Sequence, residues 1–293
     1  MPSPLAILFL LLASHLIPPS QAWTPPSYLP TYQTLFSEPF TGPSGILPST
    51  NTWTILSADL NVNHELETYR ADPRYVQLSG GNTLQLVPWR DSSSRGGWSS
   101  GRIESKYTFI PRAGAKTMVE ASIRFGVGEV GTKKGIWPAF WMLGDAVRDG
   151  SGTGWPACGE VDAMETVNGV LTGYGTAHCG VFPGGVCNEP SGLAGSVTIP
   201  DQGWYRWRVV WDRTPAQWQD ESIAWYLNDQ LYHQLFGSQI GDLNTWASLA
   251  QRPLFFILNV AVGGDWPGYP DGNTVDGYAS MMEVGYIAHY VSV

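Results

Sequence analysis

Short runs of alternating apolar and polar residues, each closed off by Gly, Pro, Asn or Asp, recur along nearly the whole of this chain. Tyr75-Val-Gln-Leu78 is followed by Ser-Gly-Gly-Asn and then by Thr83-Leu-Gln-Leu-Val87. Arg102–Phe109 and Met118–Phe125 alternate too, and Trp204–Trp211, Ile223–Leu227, Phe255–Val262 and Met282–Tyr290 are further short β-like runs. A period of two turns successive side chains to opposite faces, which suits a strand with one face in a core. The 34 glycines and 22 prolines supply turns between the runs. One helix is predicted, near Leu243–Leu249 and ahead of Pro253. There is no internal repeat and no low-complexity linker. The pattern predicts an all-β fold, a single β-sandwich or jelly roll.

Met1 to Ala22 stands apart from that pattern. An apolar run from Leu5 through Leu12 and a small-residue end at Ser20-Gln21-Ala22 make a secretory signal peptide. The apolar character stops by Pro18-Pro19, short of the ~20 residues a membrane span needs. Residues 23–34, rich in Pro and aromatics, read as an extended lead-in, which leaves 35–293 as one catalytic domain. The 16 basic and 25 acidic residues give a net charge of −9, poorly suited to nucleic acid or an anionic membrane. A secreted monomer, extracellular or in a cell wall, is expected. Of the 14 Trp, 13 Tyr and 10 Phe, most belong to a β core, Trp137 among them, and the rest suit stacking on sugar rings. Cys179 and Cys187 bracket a turn-rich loop that a disulfide closes in an oxidising compartment, which leaves Cys158 as a buried thiol. No Cys/His spacing suggests zinc, and no metal or cofactor is expected.

Glu160-Val-Asp162-Ala-Met-Glu165 carries the chemistry. Two carboxylates held near one point are what glycoside hydrolysis requires, one as nucleophile and one as acid/base. On a regular strand Glu160 and Asp162 share a face and Glu165 points away. One extra residue, a β-bulge between Asp162 and Glu165, returns all three to one side. Over five residues the Cα atoms span ~16 Å, less across a bulge, and long side chains must close that to the ~5–5.5 Å of a retaining mechanism.

The flanking words resemble glycoside hydrolase family 16, and within it the laminarinase type, secreted endo-β-1,3(4)-glucanases and fungal ones especially. They are Gly135-Ile-Trp-Pro-Ala-Phe-Trp-Met-Leu143, Gly154-Trp-Pro-Ala-Cys-Gly-Glu160 and Asn63-His-Glu-Leu-Glu-Thr-Tyr69. Trp98-Ser-Ser-Gly-Arg102, Gly175-Thr-Ala-His178 and Leu258-Asn-Val-Ala-Val-Gly-Gly-Asp-Trp266 complete the set. The likeness runs over about residues 35–293 and implies a concanavalin-like jelly roll of two curved antiparallel sheets with a concave substrate cleft. It implies Glu160 as nucleophile, Glu165 as acid/base, and Asp162 between them as a charge that keeps Glu165 protonated. His178, Trp141, Trp155, Trp266, Arg102 and Asn63 match sugar-contacting positions. For Arg102 the competing reading is an ion pair across strands with Glu120.

The implied substrate is β-1,3-glucan or mixed-linkage β-glucan, cleaved by double displacement. A transglycosylase of the same fold and a catalytically silent glucan-binding protein are the alternatives. His64 and Glu67 depart from the family words, where Asn and Gln are usual. Gly285 stands where many members carry an aspartate that helps hold a structural calcium, which counts against calcium here.

Overall fold

The structure, a computed structural model, describes residues 24–293, so the signal-peptide segment lies outside the described residues. Two large antiparallel sheets pack around one continuous core. The seven-stranded sheet runs Leu193–Thr198, Thr172–His178, Glu160–Glu165, Ile136–Gly144, Leu254–Val262, Arg102–Phe109, Trp53–Ile55. The other runs Gln230–Phe236, Ser222–Leu227, Tyr205–Asp212, Lys116–Phe125, Met282–Ser292, Leu84–Leu86, Val76–Leu78. Tyr32–Glu38 joins that second sheet by pairing with Met282–Ser292. Glu67–Tyr69, Trp98–Ser100 and Trp89–Arg90 form a small third sheet. This is the jelly-roll sandwich that the alternating runs predict.

Trp53, Trp207, Trp211, Trp225 and Trp246 are fully buried, so aromatic rings fill much of the space between the sheets. Leu254–Val262 lies mid-sheet and is buried along its whole length. One of its faces meets the core and the other is covered by polar and aromatic side chains, which is why the run reads as continuously apolar. The predicted helix spans Leu243–Ala250. Asp242 caps it by accepting a hydrogen bond from the Thr245 backbone N–H at 2.8 Å. Among the described residues no helix is long and apolar enough to cross a membrane.

The lead-in is more than an approach to the fold. The boundary expected at residue 34 falls inside the strand Tyr32–Glu38, and Tyr28 and Tyr32 cover Met118, Tyr286, Ala288 and Tyr290 on the outer face of the second sheet. Beneath them Glu120 accepts hydrogen bonds from Tyr286 Oη at 2.6 Å, Tyr28 Oη at 3.0 Å and Arg208 Nη2 at 2.6 Å. Glu120 therefore cannot pair with Arg102, which sits in the opposite sheet. A buried carboxylate needs partners on its own side of the core, and the N-terminal segment brings one of them. Cys179 and Cys187 form the expected disulfide. Cys158 is a buried thiol, and burial, reinforced by the Glu160 charge, pushes its pKa up to about 12.

Candidate active site

The bulge is present. Trp141 pairs with Asp162, Phe140 with Met164 and Ala139 with Glu165, so Ala163 is the extra residue. On the other side Asp162 pairs with Thr176 and Glu165 with Tyr174, again three residues against two. The step restores Glu165 to the face of Glu160 and Asp162 while Val161, Ala163 and Met164 enter the core. A bulge leaves ladder groups without strand partners, and the opposite sheet supplies one: Trp225 Nε1 donates to the Asp162 carbonyl at 2.8 Å. Gly175 makes room for this. A Cβ there would stand 2.4 Å from Trp225 Cδ1 and 2.6 Å from Tyr232 Oη.

On the Glu160 side, His178 sits directly across the ladder. Its Nε2 lies 3.9 Å from Glu160 Oε1 and 3.4 Å from Asp162 Oδ2, while its Nδ1 lies 2.7 Å from Glu189 Oε2. Burial alone would lower the pKa of His178. The Glu189 hydrogen bond and the charges of Glu160, Glu189 and Glu165 outweigh it and raise the imidazole to about 9. Glu160 is pushed up by burial and pulled back by His178 and Arg102. The imidazolium therefore favours an ionised Glu160. Glu160, Asp162 and His178 offer three donor atoms within 4.8 Å, the make-up of a cation site. Here His178 itself supplies the positive charge among the acids.

At the other end, Trp137 Nε1 donates to Glu165 Oε1 at 2.9 Å. Burial, with Glu160 adding to it, raises Glu165 to about 7, against the opposing pull of His178 and Trp137. Trp137 thus belongs to the site rather than to the core. Its even spacing from Trp141 along Ile136–Gly144 puts both on one face, a signal the sequence did carry. Trp266, 44% exposed, meets Trp137 edge-on at 5.4 Å and Tyr174 edge-on at 5.2 Å.

Burial, followed by the charges of Glu165 and Glu160, raises the pKa of Asp162 well above its ordinary value. Its Oδ2 is buried without a hydrogen-bond partner among the described residues. Glu165 owes its raised pKa to burial first, with Glu160 the leading acid that adds to it.

The other predicted contacts line the same face. Trp141 Nε1 donates to Asn259 Oδ1 at 2.8 Å, and the Arg102 guanidinium lies 5.0 Å from the centre of the Trp141 ring. Arg102 is held by Glu104 on its own strand, at 2.7 and 2.9 Å. Asn259 also donates to Tyr69 Oη at 3.1 Å. Asn63, in a left-handed backbone conformation, donates to Glu65 Oε1 at 3.0 Å and is one step removed from the acids. Glu65 and Glu67 are both buried. Burial raises both, and Glu67, beside Glu65, is raised well above its ordinary range. Glu189, Asn259 and Glu65 went unseen in the sequence, and Glu67 stood out only as a departure from the family words, because only the fold brings them to this face.

Three acids on one bulged strand of a jelly roll, with an imidazolium at one end and indoles at the other, make an arrangement that suits two-carboxylate glycoside hydrolysis. The endo-1,3-β-glucanase of Streptomyces sioyaensis superposes with a TM-score of 0.83 and 33% identity, covering 92% of this chain and 99% of that one. Among curated relatives, a keratan-sulfate endo-1,4-beta-galactosidase of Sphingobacterium multivorum is 31% identical over 60% of this chain and 39% of its own length. A beta-glucanase of Rhodothermus marinus is 30% identical over 59% of this chain and 60% of its own. The chain thus spans less than two thirds of either curated relative. No family model matches it. The chain belongs to the laminarinase-type glycoside hydrolases of family 16.

Proposed function

We propose that this protein is a secreted endo-β-1,3-glucanase of the kind found in fungi, acting on laminarin-like or mixed-linkage β-glucan with retention of configuration. The observation that carries the reading is the Ala163 bulge, which puts Glu160, Asp162 and Glu165 on one face. Glu160, facing the His178 imidazolium at 3.9 Å, is the nucleophile and attacks the anomeric carbon. Glu165, with its pKa near 7, holds the proton that the departing glycosidic oxygen takes as the C–O bond breaks. Water then attacks the glycosyl-enzyme carbon and gives its proton to Glu165, and Glu160 leaves as a carboxylate. The raised pKa of Asp162 favours its neutral form, which spares the attacking carboxylate a repelling neighbour. Arg102, Trp141, Trp155 and Trp266 bind sugar along the face, and Asn63 acts through Glu65.

The likeness to a keratan-sulfate galactosidase favours one second reading, a β-galactan substrate. Incubation with laminarin, mixed-linkage β-glucan and agarose, followed by product sizing, separates the two. Short oligosaccharides from either glucan support the proposal. Products from agarose alone move the assignment to a galactanase, and products longer than the starting chains to a transglycosylase. Binding without turnover contradicts the enzymatic reading.

A further inference from the structure

The loop closed by Cys179 and Cys187 leaves the sheet immediately after His178 and exposes Val181, Phe182 and Val186. Phe182 is 58% exposed and stands beside Trp155, itself 42% exposed. The two ring centres are 5.8 Å apart and the planes are inclined by 50°. Trp155 also lies 5.8 Å from the His178 ring, whose Nε2 faces Glu160. It hydrogen-bonds Glu160 as well, so Trp155 touches the reacting centre directly while Phe182 flanks it in solvent.

Nothing in the core calls for Phe182. Its side chain is mostly in water, and a contiguous exposed apolar patch marks a binding surface. The loop that carries it is braced rather than loose. Gly184 and Glu189 exchange two backbone hydrogen bonds, and Glu189 Oε1 accepts from the Cys179 backbone N–H at 2.8 Å. A ring held out on a braced loop loses little freedom when a ligand covers it. Continuity with the cleft identifies the occupant as the same glycan chain, whose flat apolar faces suit aromatic rings.

We propose that Phe182, together with Trp155, forms an outer glucosyl-binding subsite on the Glu160 side of the cleft, held in place by the disulfide-closed loop. This inference rests on the glucanase reading above. It makes the loop a determinant of preferred chain length: an oligosaccharide long enough to reach Phe182 gains binding that shorter ones lack. The gain corresponds to one phenyl face removed from water, about tenfold in kcat/KM.

The test is kcat/KM on laminari-oligosaccharides of increasing length for the parent, Phe182→Ala and Phe182→Trp. The parent should show a step of about tenfold at one added glucosyl residue. Phe182→Ala should lose that step and Phe182→Trp should keep it. An unchanged step in Phe182→Ala overturns the proposal. Equal loss at every length, the shortest included, also overturns it, since that outcome assigns the loop to supporting His178. A parent that sediments as a dimer, with a monomeric Phe182→Ala of unaltered kinetics, gives the patch to self-association instead. A parent inert on every β-glucan, short and long, overturns the glucanase reading itself and this inference with it.

Discussion

His178 Nδ1 and Glu189 Oε2 lie 2.7 Å apart, and the other oxygen of Glu189 accepts from the Cys179 backbone N–H at 2.8 Å. Two donors meet two acceptor oxygens, an arrangement an amide cannot reproduce. The carboxylate fixes the imidazole as a cation that faces Glu160. In Glu189→Gln the His178 pKa should fall from about 9 yet leave the imidazole protonated on the acid side, and Glu160, freed of the repelling Glu189 charge, should titrate lower. The acid limb of the kcat/KM profile should then move down by up to about one pH unit, worth ~1.4 kcal/mol. An unshifted limb, with activity lowered evenly at every pH, would reduce Glu189 to a structural part of the loop.

The two ends of the acid strand should respond differently to substitution. Glu160→Ala should abolish turnover while leaving the fold and laminarin binding in place, as calorimetric titration would show. Glu165→Ala should lower glucan hydrolysis by about 10²–10⁴-fold. Aryl glycosides with good leaving groups need little protonation and should lose far less in that variant. Equal losses on both substrates would mean that Glu165 is not the acid.

Glu67 offers a stability test away from the chemistry. It accepts the Val262 backbone N–H at 2.8 Å, and burial beside Glu65 raises its pKa well above the usual range. A raised folded-state pKa gives stability that is complete below the unfolded pKa and is lost as pH rises through the folded value. Glu67→Gln keeps the acceptor and a donor but never ionises. It should therefore melt about 2–4 °C above the parent at mildly alkaline pH, with the gap closing on acidification. A gap that widens toward acid would contradict the assignment of the proton to this pair.

Gly175 tests the support of the bulge. A methyl group there would meet Trp225 Cδ1 at 2.4 Å and displace the indole that bonds the Asp162 carbonyl. Gly175→Ala should cost about 1–3 kcal/mol in chemical denaturation. It should also lower kcat more than it raises KM, because the acid strand loses its anchor. A stable, fully active variant would show that the bulge holds without Trp225.

Much of this was legible in the chain itself. The short β-like runs located Arg102–Phe109, Lys116–Phe125, Tyr205–Asp212, Leu254–Val262 and Met282–Ser292, and the helix ahead of Pro253 was found to within a residue. The spacing of Glu160, Asp162 and Glu165 demanded the bulge that Ala163 provides. What escaped detection depends on contacts between distant segments. Glu189 reaches His178 only because the Cys179–Cys187 loop folds back. Glu120 turned to Tyr28 and Arg208 because it lies in the sheet opposite Arg102. The pKa of Asp162 is raised because it is buried among other acids, and no local pattern records burial of that depth. Trp137 is different, since its even spacing from Trp141 already placed it on the site face.

The central claim is that Glu160 and Glu165 cleave β-1,3-glucan by double displacement. Proton NMR of the anomeric signals during the first minutes of laminari-oligosaccharide hydrolysis tests it most directly. The account predicts that the β-anomer forms first and only later mutarotates to the equilibrium mixture. An initial α-anomer would mean single displacement by water and would contradict the assignment of Glu160 as nucleophile.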